Sequence, residues 1–220
     1  MHDTVKNLLK IEENVKTKLV SVDRLLAKIK IIAVSKTFKI DQINHLIEYG
    51  HSDYGENKVQ EAQDKWSELK KINPNIKLHL IGRLQTNKAK IAVQLFDYIH
   101  SLDSKKLADK ISKYENEFKV KTKLFIQVNI GNEEQKSGIA KENVIEFYKY
   151  CKSIDLNIIG LMCIPPIEED SLKYFKELKI LGRELSLKEL SMGMSADYTN
   201  AIEHGATFLR IGSSIFGKRG

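Results

Sequence analysis

The chain has 220 residues, 42% hydrophobic and 30% charged, with a formal net charge of +7. This composition excludes a disordered protein, and the length suffices for one substantial core, the size of a single barrel domain over residues 1–220. No apolar run is long enough to span a bilayer, and two cysteines without a Cys-x-x-Cys pair exclude a disulfide framework and a cysteine-rich zinc site.

The six histidines lack compact metal-ligand spacing. The first thirty residues mix acidic with basic groups, unlike a secretory or transit peptide, so cytoplasmic residence is the default expectation. Lysines are interleaved with glutamates along most segments. That pattern describes a solvated surface, with neither a specific nucleic-acid partner nor a membrane expected.

Taken in order, Val5, Leu8, Leu9, Val15, Leu19, Val22 and Leu26 recur at helical spacing and predict a long helix over residues 3 to 27. Ile31-Ile32-Ala33-Val34 reads as a buried strand that delivers Ser35 and Lys36 to its C-terminal end. A helix carrying Ile40, Ile43, Leu46 and Ile47 stops at Gly50. A weak strand at 52–54 leads into Gly55-Glu56-Asn57 and a helix over 59–69, before the Asn73-Pro74 turn.

The same unit then repeats. Strands are predicted at 77–81, 96–100, 123–130 and 158–162, with helices at about 85–95, 103–118 and 144–151 between them. The loop Cys163-Ile164-Pro165-Pro166 precedes a helix with Leu172, Phe175, Leu178 and Leu181. Short strands at 189–191 and 207–211 flank a helix with Tyr198, Ala201 and Ile202. Eight strands at a mean spacing of about 25 residues predict an α/β protein, a single (β/α)8 TIM barrel with an extra N-terminal helix. The alternative, an open doubly wound sheet, lacks a Gly-x-Gly-x-x-Gly turn after the first strand.

Sites of such barrels lie at strand C-termini, and phosphate is often held after strands seven and eight. Ser191-Met192-Gly193-Met194-Ser195 and Gly212-Ser213-Ser214 stand at those two places. Their glycines admit close backbone approach, and their amides and hydroxyls suit an anion. Each segment alone reads equally as a turn with a helix cap. Lys36 beside an apolar core is a candidate amine of lowered pKa, able to attack a carbonyl. Its alternative is a strand-capping lysine that snorkels to solvent. Arg210 reads as a phosphate or carboxylate partner, or as a charge beside a ring. His79 is either a satisfied core histidine or a ring partner. Asn57 is either a helix cap or a donor to a phenolic oxygen. Tyr54 and Glu56 serve the mouth or its loop, Gln85, Asn87 and Lys88 cap a helix or contact an anion, and Asn129 and Met162 are candidate pocket walls.

In combination and order, several strings resemble the pyridoxal-phosphate homeostasis protein family. They are Ala33-Val34-Ser35-Lys36-Thr37, Gly55-Glu56-Asn57, His79-Leu80-Ile81-Gly82, Leu84-Gln85-Thr86-Asn87-Lys88, Gly160-Leu161-Met162, Ser191-Met192-Gly193-Met194-Ser195 and Arg210-Ile211-Gly212-Ser213-Ser214-Ile215-Phe216-Gly217. The resemblance extends from the first strand to Gly217. That family is similar to the barrel domain of alanine racemase and has a fold-type III pyridoxal-phosphate site. The resemblance implies that Lys36 holds pyridoxal 5′-phosphate as a Schiff base and that Arg210 faces the pyridine nitrogen. It places Ser191, Gly193, Ser195, Gly212 and Ser213 in the phosphate loops, and Asn57, His79 and Met162 around the cofactor. Arg83 and Cys163 depart from the family pattern, at the mouth.

The same resemblance implies a cofactor-handling protein of vitamin B6 and amino-acid homeostasis, a carrier rather than an enzyme of robust turnover. Release would proceed by transimination with an amine or amino acid, toward transient pyridoxal-phosphate-dependent recipients. Alanine racemase draws its second base from an additional C-terminal domain of the partner subunit. The expectation here is that no counterpart exists, because the sequence ends at Gly220, and that the protein is a monomer. Two competing readings are a small amino-acid racemase using Lys36 with an unidentified second acid/base, and a phosphate-binding interaction barrel that does not depend on Lys36.

Overall fold

Short runs form strands here, the clearest of them rich in isoleucine and valine, and each amphipathic stretch that follows returns the chain as a helix to the same end of the sheet. The computed structural model describes residues 1–133, 137–166 and 169–217. Its strands are β1 (Lys30–Val34), β2 (Asp53–Glu56), β3 (Lys77–Leu80), β4 (Tyr98–Leu102), β5 (Lys123–Asn129), β6 (Ile139–Ala140), β7 (Ile158–Met162), β8 (Glu189–Met194) and β9 (Phe208–Ile211). All the pairings are parallel. β1 lies between β2 and β9, and a β4–β5 pairing closes the sheet into an eight-stranded barrel. The two-residue β6 pairs only with the end of β5 and stands outside that ring.

The helices are α1 (Asp3–Ser21), α2 (Ile40–Tyr49), α3 (Val59–Ile72), α4 (Ala89–Leu95), α5 (Lys105–Phe118), α6 (Val144–Ser153), α7 (Ser171–Glu184), α8 (Tyr198–Glu203) and α9 (Ser213–Phe216). α9, at four residues, is too short to cover the outside of the barrel after its last strand. α1 completes the ring instead, packing on α2, α8 and α9. Val5, Leu8, Ile11, Val15 and Leu19 form its buried stripe, with three- and four-residue spacing. Asn7 Nδ2 donates to Ile215 O at 3.0 Å and Lys18 pairs with Glu203 at 2.8 Å. The expected extra helix is thus a structural part of the barrel.

That helix ends six residues before the predicted limit. Asp23 takes a left-handed φ of 51°, and the Arg24 guanidinium leaves the helix to bond the carbonyls of Ile202 and Ala206. Leu26, counted in the apolar stripe, is 98% exposed. β4 begins two residues later than predicted, because the Asp97 carboxylate takes the Leu78 amide and holds its own residue at the sheet edge. The segment after Gln85 starts with a 3-10 turn, Thr86–Lys88, before α4. β8 extends three residues past its expected end, to Met194.

Successive strand residues face opposite sides, so each strand presents alternate residues to the barrel interior. Ile32, Tyr98, Phe125, Met162 and Phe208 form an apolar cluster there, separate from the larger core under the helices. Gly55 faces the same space: a Cβ on it would stand 2.8 Å from Ile32 Cγ2 and 3.3 Å from Ile81 Cδ1. The barrel is therefore a packed core that opens only where the strands run out.

Because α1 supplies the outer layer that α9 is too short to provide, the helix should carry global stability. Leu8→Ala, at a site with no exposure, is expected to cost about 2–5 kcal/mol. Urea unfolding followed by circular dichroism measures it. A cost near zero would mean that α1 is dispensable to the fold.

Candidate functional site

The period of two that fills the interior also selects what reaches the mouth. On β1, Ile32 lies in the interior cluster, and Val34 and Lys36 follow on the same parity. On β9, Phe208 is followed by Arg210 and Gly212, and beyond β3 His79 is followed by Ile81. These series end in a cavity of about 370 Å³ lined by Lys36, Asn57, Ser195, Arg210, Gly212 and Ser213, with Val34, Phe38, Ile81, Ile164, Met194, Ala196 and Gly217. Phe38 stacks on Phe216 with ring centroids 4.7 Å apart and walls one side. A second cleft of about 340 Å³ adjoins it through Asn57, Ile81 and Ile164 and carries Arg83, Gln127 and Asn129.

Of the ten residues that the family resemblance puts at the cofactor, six line this cavity: Lys36, Asn57, Ser195, Arg210, Gly212 and Ser213. The other four lie behind it. Met162 belongs to the interior apolar cluster. Gly193, at φ 90°, lets β8 turn against α8, where a Cβ would come within 2.6 Å of Ala201 Cβ. Ser191 and His79 are buried and hydrogen-bonded below the cavity floor. The loop after β8 is pinned by Asp197 Oδ1, which accepts the Met194 amide at 2.6 Å, and Ser195 Oγ accepts the Ser214 amide at 3.3 Å. The two loops at the anion side are thereby joined. Asn57 is approached closely by the turn after β3, since a Cβ on Gly82 would fall 2.3 Å from Asn57 O.

Arg210, 4% exposed, is the cationic floor of the cavity. Its Nη2 donates to Cys163 O at 2.8 Å and its Nη1 to Ser191 Oγ at 2.7 Å. From Ser191 a hydrogen-bonded chain crosses the barrel: Ser191 Oγ to His100 Nδ1 at 2.8 Å, His100 Nε2 to His79 Nδ1 at 3.0 Å, and His79 Nε2 to Asp53 Oδ1 at 3.0 Å. Guanidinium only donates and carboxylate only accepts. With both rings neutral, one assignment satisfies every contact. The Ser191 hydroxyl donates to His100, His100 Nε2–H to His79, and His79 Nε2–H to Asp53.

The electrostatics favour that state. Burial pushes the pKa of His79 down, outweighing the opposing pull of Asp53, and burial with the nearby His79 and Arg210 pushes His100 well below its ordinary value. Burial also opposes ionisation of Asp53. The hydrogen bond from His79 and the Lys30 ammonium, 3.4 Å away, nevertheless hold its carboxyl well below the usual range. The stacks of His79 on Tyr98 and of His100 on Phe125, both with centroids 4.3 Å apart, fix the two rings in plane. Burial raises the Cys163 thiol to about 12 and leaves it inert. Sequence reasoning missed His100 and Asp53. Their signal was a polar residue on the inward parity of a strand, His100 in step with Tyr98 and Asp53 in step with Gly55.

Among the described residues there is no group of three or more His, Cys, Asp or Glu that could hold a metal, and no helix is long and apolar enough to cross a membrane. The family model described as "Alanine racemase, N-terminal domain" matches residues 7–220. A pyridoxal phosphate homeostasis protein of Aquifex aeolicus is 42% identical over 200 residues, covering 86% of this chain and 87% of that protein. The structure of PipY from Synechococcus elongatus with pyridoxal phosphate (PLP) bound has a TM-score of 0.80 at 33% identity, covering 92% of this chain and 100% of PipY. An alanine racemase of Clostridium difficile has a TM-score of 0.72 at 16% identity, covering 99% of this chain and 57% of the racemase, a likeness of fold.

The buried histidines give stability a pH dependence of definite sign. Their folded pKa values lie below those of the unfolded chain, so unfolding takes up protons once the pH falls below about 6.5. Stability is therefore complete above that pH and declines as the pH falls through it, by at most about 1.4 kcal/mol per pH unit for each ring. Asp53, with a depressed pKa, acts in a separate window below about pH 4. Urea titrations of the native protein and His100→Gln at about pH 8 and about pH 5.5 should show the smaller loss in the variant. Equal losses would mean that His100 is not held neutral.

Proposed function

We propose, from the premise that this chain belongs to the pyridoxal phosphate homeostasis protein family and carries the alanine racemase N-terminal domain, that its barrel mouth binds pyridoxal 5′-phosphate reversibly. In this reading the protein serves intracellular vitamin B6 and amino-acid homeostasis as a carrier. The observation that carries it is the convergence of an amine, a buried guanidinium and the Ser195–Ser213 donor pair on one cavity of about 370 Å³.

The donor set fits the group. Among the described residues that line the cavity, Lys36 and Arg210 are the charged ones, and both favour an anion. Ser195, Gly212 and Ser213 offer hydroxyl and amide donors at one end for a phosphate, while Val34, Ile81 and Ile164 give apolar walls to an aromatic ring. Asn57 supplies an amide for a phenolic oxygen. When bound, the group would supply an aldehyde that condenses with a primary amine with loss of water. Lys36 is the residue that would hold it as a Schiff base, and the amine of an amino acid would replace Lys36 there by transimination, which frees the lysine amine.

Arg210 cannot give up its proton at physiological pH, the two groups it donates to are neutral acceptors, and the nearby Asp197 carboxylate favours its charged form. A fixed positive charge at a pyridine nitrogen disfavours protonation there. The group is then a weak electron sink, which suits holding and release better than carbanion chemistry. Ser191, His100, His79 and Asp53 act behind Arg210 by orienting it, and Met162 and Gly193 by packing the floor and the turn beneath the site. Cytoplasmic residence belongs to the same reading, and is in keeping with two buried, unpaired cysteines.

The deciding experiment adds pyridoxal 5′-phosphate to the native protein and to Lys36→Ala, reduces with borohydride and maps the peptides. A reduced adduct at Lys36 in the native protein alone is expected, and an adduct elsewhere, or none, would sink the reading. Ser213→Ala removes one donor to a charged group, worth about 1.5–3 kcal/mol. It should weaken binding about tenfold or more in a spectroscopic titration and leave the position of the adduct unchanged.

A further inference from the structure

Lys36 lies in a tight turn whose backbone is unusual. Ser35 O accepts the Phe38 amide at 3.2 Å, so Lys36 and Thr37 are the two central residues, and Thr37 has a φ of 68°. A left-handed residue at that position favours glycine, and for a β-branched side chain it is a genuine outlier. Such a conformation persists only where the surroundings over-determine it.

Here the surroundings come from α3 and the end of β2. Glu61 Oε1 accepts the Thr37 amide at 2.6 Å. Lys65 Nζ donates to that same oxygen at 3.2 Å, to Glu56 Oε1 at 2.9 Å and to Ser35 O at 3.0 Å. Glu56 Oε1 also receives the Ser35 hydroxyl at 2.8 Å and the Trp66 indole N–H at 2.9 Å. Glu56 is fully buried and the Lys65 side chain is 9% exposed. Glu61 and Lys65 are four residues apart and share one face of α3. Burial opposes ionisation of Glu61, but the Thr37 amide and Lys65 more than offset it and lower its pKa. The peptide groups on both sides of Lys36 are thus fastened to charged side chains of the neighbouring unit.

We propose that Glu61 and Lys65 are positioning residues for Lys36, holding Thr37 in the left-handed turn that presents the lysine to the cavity. The inference rests on the reading of Lys36 as the amine that captures the cofactor aldehyde. Turns with and without a left-handed third residue differ by a flip of the central peptide, here Lys36–Thr37, which changes the ψ of Lys36 by about 150°. Glu61 takes the N–H of that peptide, so its carboxylate selects which way the peptide faces. Lys65 fixes the preceding carbonyl and holds the carboxylate in place.

The test uses the full chain and four variants: Glu61→Ala, Glu61→Gln, Thr37→Gly and the double variant Glu61→Ala/Thr37→Gly. Two readouts need no cofactor: amide hydrogen exchange at Thr37, and the rate at which formaldehyde and cyanoborohydride methylate Lys36, followed by peptide mapping. The third is the rate of forming the borohydride-trapped adduct with pyridoxal 5′-phosphate. Glu61→Ala should accelerate Thr37 exchange and change Lys36 methylation and adduct formation about tenfold or more. Glu61→Gln should recover most of the native behaviour, because its amide oxygen still accepts the Thr37 N–H. Removing Glu61 should matter less in the Thr37→Gly background, since glycine enters the left-handed region freely. Native rates in Glu61→Ala, or an equal loss in both backgrounds, would overturn the proposal. If the native protein forms no adduct at Lys36, the cofactor reading fails. The clamp is then judged by exchange and methylation alone, and unchanged values in Glu61→Ala would still reject it.

Discussion

A guanidinium buried at the mouth of the barrel sets the terms for the rest of the interior. An isolated buried charge is costly, and Arg210 is tolerated because its donors meet Ser191 Oγ and Cys163 O. Both partners are neutral. The carboxylate that terminates the network, Asp53, stands behind Ser191, His100 and His79. The hydrogen bonds of Arg210 thus go to neutral acceptors, while the Asp197 carboxylate acts on it through space and favours its charged form.

That arrangement links folding to the site. The histidines that transmit the chain of donors are also stacking partners of Tyr98 and Phe125, so the same side chains pack the barrel and orient the guanidinium. A directional network of this kind is worth having only if every member is satisfied. The glycines meet the matching constraint. Gly55 leaves room for Ile32 and Ile81, and Gly193 lets α8 close on β8. The cavity then forms where inward positions run out, between the ends of β1, β2, β3, β7, β8 and β9.

The barrel is shared with racemases at 16% identity, so it argues for architecture and leaves chemistry to the site. In this chain the site rests on local ties. Lys36 is carried on a turn tied to α3, and the anion-side loops are tied to each other through Ser195 and Ser214. Arg83 lines the adjoining cleft, at the approach to the mouth and away from its floor.

Read alone, the amino-acid order specified the alternation of strands and helices, the barrel and the residues at the ends of its first and last strands. Hydrophobic period and strand termini are local properties, so Lys36, Arg210, Gly212 and Ser213 could be located from a few neighbours each. Helix limits were less legible: Leu26 fits an apolar stripe by spacing, yet no partner surface reaches it. The chain from Arg210 to Asp53 was decided only by tertiary structure. His100 and Ser191 are 91 residues apart and meet because β4 joins β5 and β1 joins β9 to close the ring. The left-handed Thr37 is of the same kind, since its conformation contradicts the preference of its own side chain and is imposed by Glu61, 24 residues away. Local periodicity determines which face a residue takes. Closure of the sheet determines which other faces it meets, and that is where the polar network acquires its direction.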